Sequence, residues 1–576
     1  MKMKKIISMF LTFIMVGSLA ACGGNKPVSQ ESTPTTGTET TATSETTIAT
    51  EKEEVKEPVT VSLFPANGNL TSGTVGGWLG EYFAENGIIL DVWAYSAEKF
   101  NAILASGDYP DVMFFNTNKC DINAIIESGY LLDLNDYMDQ LPAIKNSEEM
   151  QTAVNFVKAY VSNKSDELGV LPVKVGALSS KVNTGGAALM MNWELYEKIG
   201  SPEITCLEDT IDVFKQMQAA WPQADNGLKT YAMHLYSDQD TSSFAGIKNV
   251  LYLNGYTVGQ LKYFLLGNTA TNEFEYALED DGIYKYGLKY YNTLYKEGLL
   301  DPDSITYDRQ TVVSIVDTEG ATLAGWPCVP AYETKGFMPV YYDGMRVVFT
   351  GNYEKFGNNF VIGISSKCEN VDAALQLVNM FADPDSCFII KTGPEGELWE
   401  YDASGVPVLT EEGIGYFVNG AEADIKGETF KNFNTPLIAN TGFVTSFGKQ
   451  YSASSWPEVL VMRNNTDTAV RWREFYGAKT DFVELLGDNC VQIAFDDSLN
   501  KFVEKPSDEE ELVWTAAQDI LIEASWKMVY AESEAEFEKL WADAVAECNK
   551  LGIEELVQTR LKALDEAIKA KEALSK

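Results

Sequence analysis

Histidine is almost missing from this chain: His234 is the single one among 576 residues. That argues against Ser–His and Cys–His nucleophilic sites and against zinc hydrolases. No G-x-S-x-G or H-E-x-x-H spacing is present either. Basic residues are scarce, with 44 Lys and Arg against 84 Asp and Glu and a formal charge of −40. Such an excess of carboxylate repels nucleic acid and anionic headgroups, and no basic cluster offsets it. The eight cysteines, at 22, 120, 206, 328, 368, 387, 490 and 548, match no zinc or redox spacing. The seven after Cys22 read as mostly buried small hydrophobes, with no disulfide, metal or cofactor predicted. No apolar run approaches the ~20 residues needed to span a bilayer. No internal repeat of the kind an adhesive or structural protein would use is visible.

What is present begins with Lys2, Lys4 and Lys5, an apolar run from Ile6 to Val16, and then small residues. This is the order of a secretory signal. Its end, Leu19-Ala20-Ala21-Cys22, resembles the lipobox of bacterial lipoproteins. The resemblance implies removal of residues 1–21, acylation of Cys22 and a working place on the outer face of the cell membrane. Burial of acyl chains at ~0.8 kcal/mol per methylene makes such an anchor possible. Loss of three lysines with residues 1–21 would bring the mature charge to −43. From Asn25 to Glu57 the chain holds ten Thr with Ser, Glu and Pro among them. So little apolar surface cannot offset ordering entropy, so residues 22–57 are expected to be a disordered stalk.

The remaining residues, about 520, exceed one core and suggest two lobes. At 45% apolar and 12% aromatic residues the chain is globular. Pro58 to Phe64 reads as a strand ending in the loop Pro65–Asn69. A helix from Trp78 to Asn86, closed by Gly87, and a strand from Ile88 to Trp93 complete a βαβ unit. A helix from Ala97 to Ala105 and a strand after Pro110 continue it. This alternation predicts an α/β fold with a mainly parallel sheet, whose ligands bind beyond the C-terminal strand ends. Asn67, Tyr95, Phe115, Asn116 and Thr117 follow those ends and are candidate ligand contacts. Asp111 reads as a turn or strand-start residue.

Here the chain resembles a known family. Phe100 to Phe115, with Ala105-Ser-Gly-Asp-Tyr-Pro-Asp-Val112, is similar to the "ASGDxPDV" signature of extracellular solute-binding proteins of bacterial ABC importers, in particular the large lipoprotein branch of the sugar binders. Further matches keep the family order. They are Gly129-Tyr-Leu-Leu-Asp-Leu134, Leu171-Pro-Val-Lys-Val175, Met191 to Gly200, Tyr286 to Pro302 and Gly393 to Tyr401. Within the fourth, positions 283, 286, 290 and 294 share one helical face and Gly298 occupies the left-handed cap position. Two departures stand out. Trp221 to Thr230 replaces an acidic loop that binds calcium in some relatives, and its single carboxylate falls short of the six to eight oxygens Ca²⁺ takes. Glu397-Leu398 stands where the family has a histidine.

The resemblance implies a type II periplasmic-binding-protein fold with a ligand cleft between lobes. Lobe 1 would span 58–175 and lobe 2 mainly 176–360. Residues 361–576 would supply the remaining lobe segments, with C-terminal helices packing back on lobe 1. Asn370 to Ala382 reads as an amphipathic helix, apolar at 371, 374, 375, 378 and 381. Phe537, Leu540, Trp541, Ala544 and Cys548 fall at helical spacing, Gly552 breaks that helix, and a last one runs from Glu554 to Ala570. Sugars offer C–H faces to aromatic rings and hydroxyls to carboxylates and amides. Trp326, Glu395, Trp399 and Trp456 are therefore candidate contacts, with Lys174 on the crossover strand, whereas Trp193, Trp526 and Trp541 read as core. The implied function is capture of an extracellular solute, first of all an oligosaccharide, by hinge closure. The implied partners are ABC permease transmembrane subunits and the membrane through the lipid anchor, with the protein itself a monomer and no nucleic acid. A glycan-active enzyme with paired carboxylates, or a binder of peptide or another solute, is the alternative.

Overall fold

The computed structural model describes residues 57–65, 70–164, 166–178, 188–326, 335–349, 353–419, 437–463 and 465–574. Cys22, the stalk and Asn67 lie outside these residues, so the anchor and tether stay expectations. Residues 56–576 form one compact unit, within which two separate hydrophobic cores mark two lobes.

Lobe 1 is built on a six-stranded sheet. The β-rich run Val59–Phe64 forms β1, Gly73–Thr74 is β2, Ile88–Val92 is β3 and Val112–Asn116 is β4. The helix Gly77–Glu85 (α1) joins β2 to β3, and Ala97–Ser106 (α2) joins β3 to β4. β1 lies between β3 and β4 and runs parallel to both. The strand Phe360–Ile364 returns from lobe 2 and pairs antiparallel with β4, and Leu171–Pro172 pairs antiparallel with it in turn. Local chemistry sets these boundaries. Ser96 caps α2 through Lys99 N, and Gly107 ends it at φ 69°, a left-handed conformation that glycine adopts freely. Asp111 accepts from the Ser62 backbone N (2.7 Å) and hydroxyl (2.6 Å), fastening the start of β4 to β1. It is a structural carboxylate.

Lobe 2 has no comparable sheet among the described residues. Met190–Asn192 lies between Ala324–Gly325 and Phe337–Pro339, and a second three-stranded sheet holds Leu265–Asn268 at its centre. Helices make most of its core. Ile283–Lys296 buries Tyr284, Leu288 and Tyr291 besides Tyr290 and Leu294, so its apolar surface is wider than the stripe read from sequence. Two neighbours explain this: Ala245–Leu253 covers one side and Asp508–Val529 another.

The C-terminal helices depart from expectation. Asp508–Val529, Glu534–Lys550 and Ile553–Leu574 pack on lobe 2, and the last also touches the lobe 1 helix Glu148–Phe156. The reason is chemical complementarity with Ile283–Lys296. Asn292 Nδ2 donates to the carbonyls of Val529 (3.2 Å) and Ala531 (2.8 Å), and buried Lys285 reaches Glu538 at 2.6 Å. The last segment of the chain therefore divides: residues up to Val459 join lobe 1, and residues from Trp472 onward join lobe 2.

Candidate functional site

Leu171–Pro172 runs in the same sense as β4, so the chain leaves lobe 1 at the C-terminal ends of the parallel strands. Lobe 2 therefore faces those ends. The crossing is a hinge of three segments. Gly176–Ala177 pairs antiparallel with Tyr353–Glu354, and Asn440 N donates to Val175 O (2.8 Å) while its Nδ2 donates to Gly176 O (3.0 Å). Gly176 has φ 93°, and a Cβ there would sit 2.5 Å from the Phe443 ring. Only glycine fits.

A cavity of about 650 Å³ lies between the lobes at this hinge. Lobe 1 contributes Thr117, Asn118 and Tyr160, the hinge contributes Glu354 and Asn358, and lobe 2 contributes Asp497 and Lys501. The lobe 2 side reaches across. Phe502 packs its ring 5.3 Å from Phe156, 4.9 Å from Tyr160 and 5.1 Å from Phe356. Lys501 Nζ donates to Gly357 O and lies 3.6 Å from Glu354 Oε2. Burial pulls the Lys501 ammonium down and pushes the Glu354 carboxyl up, each partly opposed by the other. Burial also raises the Asp497 carboxyl to about 6, opposed by Lys571 and reinforced by Asp496 and Glu354. Asp497 Oδ2 is buried without a hydrogen-bond partner. The space is lined by polar and apolar groups alike, holds buried charged groups and is bounded by both lobes.

The sequence candidates fall into distinct places. Thr117 lines the cavity and donates through N (2.9 Å) and Oγ1 (3.2 Å) to Asn359 O. Asn116 beside it accepts from Asn118 N at 2.9 Å. Tyr95 follows β3, half-buried, its ring 5.6 Å from Phe64. Lys174 sits in the hinge at φ 59°, where burial pulls its ammonium down to about 8, opposed by the Cys387 thiol. Phe115 differs from expectation: it is fully buried in the lobe 1 core beneath the rim. Trp399 and Trp456 differ likewise, because both flank Phe388 inside that core. Their indoles donate to Gly393 O and Gln450 O, each at 2.8 Å, which leaves no donor for a sugar. Glu395 is exposed on the turn before Trp399. Trp326 is buried in the lobe 2 core just beyond Ala324–Gly325. Trp193, Trp526 and Trp541 are core.

Sequence reasoning missed Glu354, Asp497, Lys501 and Phe502. The pairing of Glu354 with the crossover strand offered no local motif. The cluster near 497–505 is brought in by lobe 2 packing alone. Among the described residues no group of three or more His, Cys, Asp or Glu could hold a metal ion. The six described cysteines are free thiols, and Cys328 lies outside the described residues. No helix among the described residues is long and apolar enough to cross a membrane.

A parallel sheet joined to a second lobe by several crossings, with an antiparallel strand returning into the sheet, is a specific topology. It matches solved structures. An HMO-binding, ABC-transporter-associated solute-binding protein from Bifidobacterium longum infantis aligns over 88% of this chain and 99% of its own, with a TM-score of 0.53 at 17% identity. An extracellular solute-binding protein from Bifidobacterium longum subsp. infantis aligns over 88% of this chain and 98% of its own, with a TM-score of 0.55 at 16% identity. This is the two-lobed solute-binding fold. At these identities the likeness is one of fold. No protein-family model and no curated protein matches the sequence. The solute-binding fold places the hinge, the interlobe space and the C-terminal strand ends where a ligand would be enclosed.

Proposed function

We propose that this protein is the extracellular solute receptor of an ABC importer, capturing an oligosaccharide between its lobes and handing it to permease subunits. The observation that carries this reading is the interlobe cavity at the hinge, lined by polar and aromatic side chains and bounded by both lobes. The sugar-binder motifs and the HMO-binding neighbour support the choice of ligand. In this reading Tyr95, Asn116 and Thr117 meet the solute from lobe 1, with Asn67, Lys174 and Glu395 around them, and Trp326 acts from within the lobe 2 core. Phe115 acts from inside the lobe 1 sheet, and Trp399 and Trp456 by packing the lobe 1 core around Phe388. Closure is a hinge motion about Gly176 and Gly357. Cys22 carries the lipid that keeps the receptor beside its permease.

Calorimetry of the mature chain against a panel of oligosaccharides, with analysis of the sugars afterwards, tests the proposal. One-to-one binding with the sugar recovered intact is the expected result. Cleaved glycan would favour the paired-carboxylate enzyme, and binding only to peptides would replace the ligand class. Cys22→Ala should move the protein from the membrane fraction to the soluble one.

A further inference from the structure

Lobe 2 holds a second cavity, of about 370 Å³, which shares no lining residue with the cavity at the hinge. Asn192 and its partner Phe337 pair at one end of the small sheet and both line this cavity. The floor is apolar, formed by Ala224, Val316 and Phe337, with Thr322 among them. Thr322 is 1% exposed and its hydroxyl makes no hydrogen bond. A buried hydroxyl left without a partner is a desolvation cost with no return, so the position asks for an occupant. The neighbouring turn Ile315–Glu319 is π-helical and ends at Gly320 with φ 63°. Such turns recur at functional sites.

The walls narrow the chemistry. Trp221 is half-buried, and Asp225, Asn226 and Asp317 bring oxygens to the rim. A divalent cation fits poorly. It would take six to eight oxygens, whereas the rim has two carboxylates and the Lys335 ammonium, which donates to Asp317 O at 2.8 Å. An apolar floor, an aromatic wall and a few acceptors suit a ring with one C–H face and several hydroxyls. The volume falls within the usual range for small-ligand pockets, about 300–1,000 Å³. We propose that this cavity is a second carbohydrate site, taking one neutral sugar ring, independent of capture between the lobes.

Full chain labelled with 5-fluorotryptophan tests this by ¹⁹F NMR, the Trp221 resonance being assigned with Trp221→Phe. The probes are methyl glucoside, methyl galactoside and methyl mannoside. The Trp221 resonance should shift saturably with at least one of them, and Thr322→Val should weaken that binding about tenfold. Asp225→Asn, at an exposed position where folding is not at stake, should weaken it as well. No shift with any glycoside, an unchanged titration in both variants, or a shift produced by calcium chloride instead would overturn the proposal. None of those results bears on solute capture at the hinge, which the calorimetry reads separately.

Discussion

The two lobes solve the same problem by different routes. Lobe 1 spreads a single sheet whose parallel strands follow one another along the chain, with each connecting helix next in sequence. Lobe 2 gathers its core from residues 188 to 567 and closes it mainly by helix packing around aromatic side chains. Both cores draw on distant stretches, lobe 1 on 61–175 and 361–459 and lobe 2 on 188–349 and 472–567. Among the described residues, only lobe 1 has parallel strands and helices that are neighbours in sequence. The difference teaches that the hinge joins two independently cored bodies, so damage to one should leave the other standing.

The sharpest way to break that comparison is a cavity in one core. Trp472 is 1% exposed and its indole donates to Pro339 O at 2.8 Å. Trp472→Ala should cost about 3–5 kcal/mol. Calorimetric unfolding should then show two transitions, with only the lobe 2 transition displaced. Phe114→Ala, in the lobe 1 core, should displace the other. A single transition moved by both variants would mean that the lobes unfold as one.

Next comes the joint itself. Gly176→Ala forces a side chain into a left-handed position against Phe443, and should cost about 1–3 kcal/mol in the urea unfolding of lobe 1. A smaller effect has a pH signature. The Asp497 carboxyl is raised by burial to about 6, above its value of about 3.9 in the unfolded chain. The folded state therefore holds this proton more tightly, and stability falls as pH rises from about 4 to about 6. Asp497→Asn removes the penalty. It should gain about 1–2 kcal/mol near pH 7.5, after discount for partial exposure, and close to nothing near pH 4. An equal gain at both pH values would show that the charge is not the cause. Smallest of all, Lys527→Ala removes an exposed pair with Glu523 on the outer face of lobe 2. A change of more than about 0.5 kcal/mol there would contradict the view that lobe 2 is held by its core.

This asymmetry also explains what the sequence disclosed. Strand runs such as Val59–Phe64 and Val112–Asn116, the Gly107 stop and the Asp111 turn are local signals, and lobe 1 was legible from them. Ile283–Lys296 was legible as a helix, but not its second buried face, because the helix covering it arrives more than 200 residues later. The placement of the last three helices depended on Lys285–Glu538 and Asn292, pairings that no periodicity encodes. The tryptophans carried the same ambiguity. Composition marks Trp399 and Trp456 as ring platforms, and only the ring of Phe388 between them makes both core. Of the cavity lining, Thr117 was within reach of the strand-end rule, whereas Glu354, Asp497 and Lys501, with Phe502 packed beside them, meet only in three dimensions.

Small-angle scattering of the mature chain, recorded with and without the oligosaccharide that calorimetry selects, tests the central claim most directly. The account predicts a smaller radius of gyration on binding, lost in Gly176→Ala, with the sugar chemically unchanged. An unaltered radius at saturation, or a shortened glycan in the same sample, would contradict it.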